Sequence, residues 1–204
     1  MNDPVDRLRR QLLLGLAALP VSGLAVGSVT PSASEGPFYP LDDMRFDDVD
    51  NDLVRIANVA DPALGEILDL SGRVLNTDGR PIEGARVEIW QCDANGRYLH
   101  RGDRGGKPRD GGFQGFGYDL SRSDGEYRFR TIKPVPYPGR TPHIHVKVLV
   151  DDRPKLTTQF YLADHPQNAR DWLFRRLDRD QQKQVTLQLQ DGADAARARL
   201  DIVV

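Results

Sequence analysis

From Ile67 onward the chain runs in short stretches of alternating apolar and polar positions, broken by turn dipeptides. Alternation sends successive side chains to opposite sheet faces, so such a stretch reads as a half-buried strand. Leu68–Leu75 alternates and stops at Asp78-Gly79. Ala85–Cys92 alternates and stops at Asn95-Gly96, and Tyr127–Ile132 follows Asp124-Gly125. His143–Val150, Leu156–Leu162, Val185–Leu189 and Ala198–Val204 bring the predicted strands to seven. Only Ala169–Arg179 has helical spacing, through Trp172, Leu173, Arg176 and Leu177. The expectation is an all-β chain, a β-sandwich of antiparallel strands with long loops and one short helix.

Upstream the pattern changes. Residues 28–46 are rich in Pro, Ser and Gly, and Asp42–Asp52 is acidic and reads as solvated. Residues 28–66 are therefore expected to form an extended arm, with the sandwich over 67–204. In residues 1–27, Arg7, Arg9 and Arg10 precede the uncharged run Leu12–Val26, which Gly15, Pro20, Ser22 and Gly23 interrupt. That run falls short of the roughly 20 apolar residues of a membrane span, so no stable span is expected. Basic, then apolar, then small residues is the layout of an export signal. Arg9-Arg10 before Gln-Leu-Leu-Leu resembles a twin-arginine signal. Residues 1–27 are expected to direct export to the periplasm or beyond, with cleavage after Gly27. The alternative is an amphipathic helix that stays attached.

Composition narrows the classes. Of 204 residues, 39% are hydrophobic and 28% charged, as in globular domains, and 19 Gly and 14 Pro suit the turns of a β fold. A net charge of −2 gives no electrostatic footprint for nucleic acid. One cysteine excludes an intrachain disulfide and a cysteine-based zinc site.

Candidate chemistry gathers on one strand. His143 and His145 are two apart, so both face the same way and form half of a possible metal site. The alternative is a pair of surface histidines. The stretch leading into them, Lys133–Pro142, sets Tyr137 among Pro134, Pro136 and Pro138, which stiffen the backbone. No acid lies between Ile132 and Val150, so the hard anionic ligand available locally is a tyrosinate. A phenol has a pKa near 10, and a strong Lewis acid such as Fe(III) is needed to ionise it at neutral pH. Tyr137 could instead be a proline-stacked surface aromatic.

Glu35-Gly36-Pro37-Phe38-Tyr39-Pro40, Val87–Gln91, Asn95–His100, Tyr127–Pro134, Tyr137–His145 and Thr157–Tyr161 together resemble the intradiol ring-cleavage dioxygenases. This is the family of protocatechuate 3,4-dioxygenase and catechol 1,2-dioxygenase. The resemblance implies one non-haem Fe(III) per chain, held by Tyr98, Tyr137, His143 and His145. It makes Tyr98 and His143 equatorial, Tyr137 and His145 axial, and Tyr137 the ligand that leaves when substrate binds. It sets Arg140 beside the substrate and has Gln159 close the pocket. The reaction implied is cleavage of a catechol-type ring between its two hydroxylated carbons by O2, to a cis,cis-muconate-type diacid. Tyr39 is a candidate lining residue. His100 and His165 are read as lying outside the ligand set, and Cys92 as a small packed hydrophobe.

The chain also departs from that family. Five residues separate Tyr137 from His143, where the protocatechuate enzymes carry a longer loop. No helical dimerisation segment of the catechol 1,2-dioxygenase kind is read, so a homo-oligomer stays an open expectation and the preferred catechol is unspecified. Two other classes compete. One is a non-catalytic secreted β-sandwich binding module. The other is a zinc or copper protein using the histidine pair, although tyrosines are unusual ligands for zinc.

Overall fold

The computed structural model describes residues 28–204, and the export-signal reading of residues 1–27 lies outside them. Among the described residues nine strands form two sheets. β1 (Ile67–Leu75) pairs antiparallel with β4 (Glu126–Ile132) and parallel with β8 (Ala196–Arg199) and β9 (Ile202–Val203). The second sheet runs in the order β3-β2-β5-β6-β7. Its strands are β2 (Arg86–Trp90), β3 (Phe116–Leu120), β5 (His143–Val150), β6 (Arg153–Leu162) and β7 (Thr186–Leu187). The β6–β7 pair is also parallel, so the late strands break the expected all-antiparallel pattern.

The sandwich follows from the alternation. Leu68, Leu70 and Val74 of β1 and Tyr127 and Phe129 of β4 meet Val87, Ile89, Ile144, Val146, Val148 and Phe160 of the other sheet in one buried cluster. Each large apolar side chain so enclosed contributes about 1.5–3 kcal/mol. The intervening residues of β2 and β5, Trp90, His143 and His145, are also buried. They are covered on the outer face of the five-stranded sheet by loops and by the arm.

The arm is docked against the sandwich. Thr30 N donates to Val203 O, Ala33 N to Thr157 O, and Lys147 pairs with Glu35 at 2.8 Å. The acidic stretch is not wholly solvated, since Phe46 and Val49 pack beneath it and Leu53 is fully buried.

The helical expectation over Ala169–Arg179 is corrected. Two 3-10 turns, Pro166–Arg170 and Phe174–Arg176, overlap that stretch, and the one α-helix among the described residues, α1, is Arg179–Gln184. Asp171 closes the first turn with its own N–H, which donates to Gln167 O and Asn168 O, and its carboxylate takes the amides of Leu173 and Phe174 that lead into the second. Asp178 then starts α1 with a capping box, accepting from Gln181 N while Gln181 returns a bond to Asp178 N.

Candidate metal centre

Two strands and two loops build the centre. β5 places His143 and His145 on the outer face, and β2 lays Trp90 directly beside His145. After β2 the chain turns around Asp93, whose carboxylate takes the amides of Asn95, Arg97 and Asp110. Asp103 Oδ2 then accepts from Tyr98 N at 2.6 Å, and this delivers the Tyr98 ring inward. On the other side Tyr137-Pro138-Gly139-Arg140 forms a tight turn closed by Arg140 N donating to Tyr137 O at 3.0 Å. Proline second and glycine third, with Gly139 at φ +85°, is the residue order such a turn requires. Its two ends carry Tyr137 and Arg140.

The four residues expected as ligands come together. His143 Nε2 lies 3.2 Å from His145 Nε2 and 3.3 Å from the Tyr98 hydroxyl. The Tyr137 ring centroid is 5.4 Å from that of Tyr98 and 5.6 Å from that of His143. His143, His145 and Tyr98 are buried and Tyr137 is half-buried. His143 Nδ1 donates to Thr141 O at 2.7 Å. This fixes the tautomer and turns the Nε2 lone pair toward the other donors.

Electrostatics agrees with the geometry. Burial, then the Arg140 charge, lowers His143 to about 4. Burial, then His143 and Arg140, holds His145 well below its usual value. Both imidazoles are therefore neutral near pH 7, as metal ligands must be. Burial pushes the Tyr98 phenol well above its ordinary value, and burial also raises Tyr137, against the lowering pull of Arg140. Two neutral imidazoles and two phenols give a donor set that becomes dianionic only beside a strong Lewis acid. The residues present fit Fe(III). Among the described residues no group of three or more His, Cys, Asp or Glu offers a competing metal site.

Arg140 and Gln159 are also joined. Arg140 Nη2 donates to Gln159 Oε1 at 2.7 Å, and Gln159 Nε2 donates to Ser34 O at 3.0 Å. Tyr39 lies on the far side of Trp90, its hydroxyl donating to Glu88 at 2.7 Å and its ring edge-on to the indole. His165 sits at the head of a 3-10 turn, and His100 Nδ1 accepts from Gly102 N. Cys92 is buried, and burial raises its thiol to about 12. Cys92 packs in the same buried cluster as Tyr98 and Trp90, as the small packed hydrophobe the sequence suggested.

Sequence reasoning missed several participants. Phe38 stacks on Tyr98 with ring centroids 5.0 Å apart and planes 28° from parallel. Asp171 is fully enclosed and accepts from Arg140 Nε at 2.8 Å. Thr141 holds His143 through its carbonyl. Phe38 and Thr141 stand inside quoted motifs, but Asp171 sits in a stretch read as helix and carries no local signal.

The Dioxygenase_C family, described as dioxygenase, matches residues 34–203. The protocatechuate 3,4-dioxygenase beta chain of Burkholderia cepacia is 37% identical over 147 residues, which is 68% of this chain and 62% of that protein. The hydroxyquinol 1,2-dioxygenase of Corynebacterium glutamicum is 27% identical, with 93% of this chain and 68% of that protein covered. The chain thus spans about three fifths to two thirds of these curated relatives. Among solved structures, the dioxygenase domain of a dioxygenase carbohydrate-binding protein fusion from Streptomyces sp. SirexAA-E superposes with a TM-score of 0.66. The two are 30% identical, with 87% of this chain and 98% of that one covered. Among the described residues, no helix is long and apolar enough to cross a membrane. With both sheets and all the site residues inside the matched range, the chain belongs to the Dioxygenase_C family of dioxygenases.

Proposed function

We propose that this chain is an iron(III) intradiol dioxygenase. It opens the ring of a catechol-type aromatic between the two hydroxylated carbons, with O2 as oxidant, and yields a cis,cis-muconate-type diacid. The observation that carries the reading is the approach of His143 Nε2 to both His145 Nε2 and the Tyr98 hydroxyl, with Tyr137 alongside. The protocatechuate and hydroxyquinol dioxygenases among its relatives support the same reading.

Tyr98, Tyr137, His143 and His145 would hold the iron. Bound Fe(III) supplies the Lewis acidity that draws electron density from a bound catecholate and readies its ring for O2. The chain's own residues supply the rest. A catechol sheds two protons on binding as a dianion; the Tyr137 oxygen, a phenolate once iron is bound, would take up one, and a hydroxide would carry away the other as water. Tyr137 is less enclosed than Tyr98, which leaves it freer to swing away. Arg140 is a fixed cation placed to stabilise negative charge developing on the ring, in a site of low polarity. Phe38 and Trp90 exclude water from Tyr98 and His145.

The test is oxygen uptake by the purified iron-loaded chain with catechol, hydroxyquinol and protocatechuate, and identification of the product. A muconate-type diacid with one O2 consumed per ring supports the proposal. An extradiol aldehyde product, or no turnover on any catechol by protein with full iron, overturns it. We also propose export by the twin-arginine route. Arg9→Lys with Arg10→Lys should retain the chain in the cytoplasm, and equal localisation of variant and wild type would reject this.

A further inference from the structure

Asp171 is a buried carboxylate for which the proposed reaction has no use. Its Oδ2 accepts from Arg140 Nε at 2.8 Å and from Thr141 N at 3.0 Å. Its Oδ1 accepts from Leu173 N and Phe174 N, both at 3.0 Å. One carboxylate therefore ties the turn that carries Tyr137 and Arg140 to the 3-10 segment that follows β6. Asn168 strengthens the same tie, taking the Thr141 hydroxyl at 2.7 Å and donating to Leu162 O at 2.8 Å.

The consequence falls on Arg140. A guanidinium is a planar fork of five N–H donors, and fixing two of its nitrogens fixes the plane. Here Nε is held by Asp171 and Nη2 by Gln159, whose Oε1 also accepts from the Tyr161 hydroxyl at 3.0 Å. Nη1 is the nitrogen these anchors leave for a ligand. The Asp171 side chain is fully enclosed and that of Arg140 is 11% exposed, so solvent does little to loosen the pair.

We infer that Asp171 is the positioning residue for Arg140, its carboxylate setting the guanidinium in the plane from which Nη1 meets the aromatic substrate. The kinetic consequence rests on the ring-cleavage proposal, whereas the structural consequence rests on the hydrogen bonds alone.

The experiment compares wild type, Asp171→Asn, Asp171→Glu, Arg140→Lys and the double variant Arg140→Lys with Asp171→Asn as iron-loaded proteins. Each is assayed for kcat and KM per bound iron, and wild type and Asp171→Asn are crystallised. An Asn side chain can still accept the Leu173 and Phe174 amides, so folding and iron content are retained while the ion pair is lost. Expected are a guanidinium displaced from Gln159 in Asp171→Asn and a kcat per iron at least tenfold lower, with KM changed less. Asp171→Glu keeps the charge but moves it by one methylene, and is expected to share the deficit. In the Arg140→Lys background, where the fork is already gone, Asp171→Asn is expected to add less than threefold. Wild-type kcat in both Asp171 variants, or a tenfold further loss in the Arg140→Lys background, overturns the inference. If wild type cleaves no catechol, the ring-cleavage proposal falls instead. The position of Arg140 in the two crystals then decides, and an unmoved guanidinium overturns the positioning role.

Discussion

The Trp90 indole lies flat against the His145 imidazole, with ring centroids 4.8 Å apart and planes 11° from parallel. The two residues are direct cross-strand partners of β2 and β5, so the sheet register itself brings the rings together. Trp90 is fully buried and also meets Tyr39 edge-on. Trp90→Ala is expected to cost about 3–5 kcal/mol of unfolding free energy, through the cavity it leaves. Trp90→Phe keeps a ring face against the imidazole and should cost well under half of that. Urea denaturation of the two variants checks this. Equal losses would show that a ring kept against the imidazole contributes nothing.

His143→Ala and His145→Ala should each lower iron content about tenfold or more and bleach the visible absorption, while far-ultraviolet circular dichroism stays that of the wild type. Both side chains stand at the start of a strand whose alternate residues, Ile144 and Val146, carry the core, so the sandwich survives their loss. Metal analysis on purified protein is the measurement. Full iron and full colour in both variants would remove the histidines from the centre.

Asp171 also predicts a pH signature. Burial raises its carboxyl, but the bonds from Arg140, Phe174 N and Thr141 N outweigh this and hold it below its usual value. A depressed folded-state pKa adds stability that is complete above the unfolded value of about 3.9 and is lost as pH falls through the lower folded value. The difference in melting temperature between wild type and Asp171→Asn should stay level from about pH 7 to about pH 5 and narrow below about pH 4. A difference that widens on acidification would contradict the sign.

The five residues between Tyr137 and His143 leave little chain to read a ring substituent. Arg140 is engaged by Asp171 and Gln159, which argues against its acting as a clamp for a substrate carboxylate. Single small apolar groups rarely discriminate by more than about 1–3 kcal/mol. Values of kcat/KM for catechol, methylcatechol and hydroxyquinol are therefore expected within roughly a hundredfold of one another. Oxygen consumption with each substrate tests this. A preference for protocatechuate beyond about a thousandfold would demand a carboxylate-binding residue that the short loop does not supply.

Strands β1, β2, β4, β5 and β6 were legible because one face of each is apolar and the other is not. β3 was hidden. Its Phe116-Gly117 start follows Gln114-Gly115 and reads as a loop, yet Gly117 is required there. A Cβ at that position would lie 2.4 Å from Asp50 O, so the strand gives up a side chain to let the arm cross. The failed helix has a similar cause. Trp172, Leu173, Arg176 and Leu177 have helical spacing, but Trp172 is 54% exposed and stacks with Arg176 across open surface. The ligand candidates could be read because a histidine pair and a proline-bracketed tyrosine are local patterns. The Arg140–Asp171 bond spans 31 positions, and no local pattern encodes it.

The hydrogen bonds between Thr30 and Val203 join positions 173 residues apart. The same arm carries Phe38 over Tyr98 and gives Gln159 its acceptor at Ser34. Synthesis makes Thr30 well before Val203. At roughly 5–20 residues per second, about 10–35 seconds pass between the two. During that interval the arm is held by contacts such as those with β5 and β6. The Val203 anchor of the arm is thus added well after the tyrosines and histidines that the arm helps to cover, whereas its anchors at Thr157 and Gln159 come earlier.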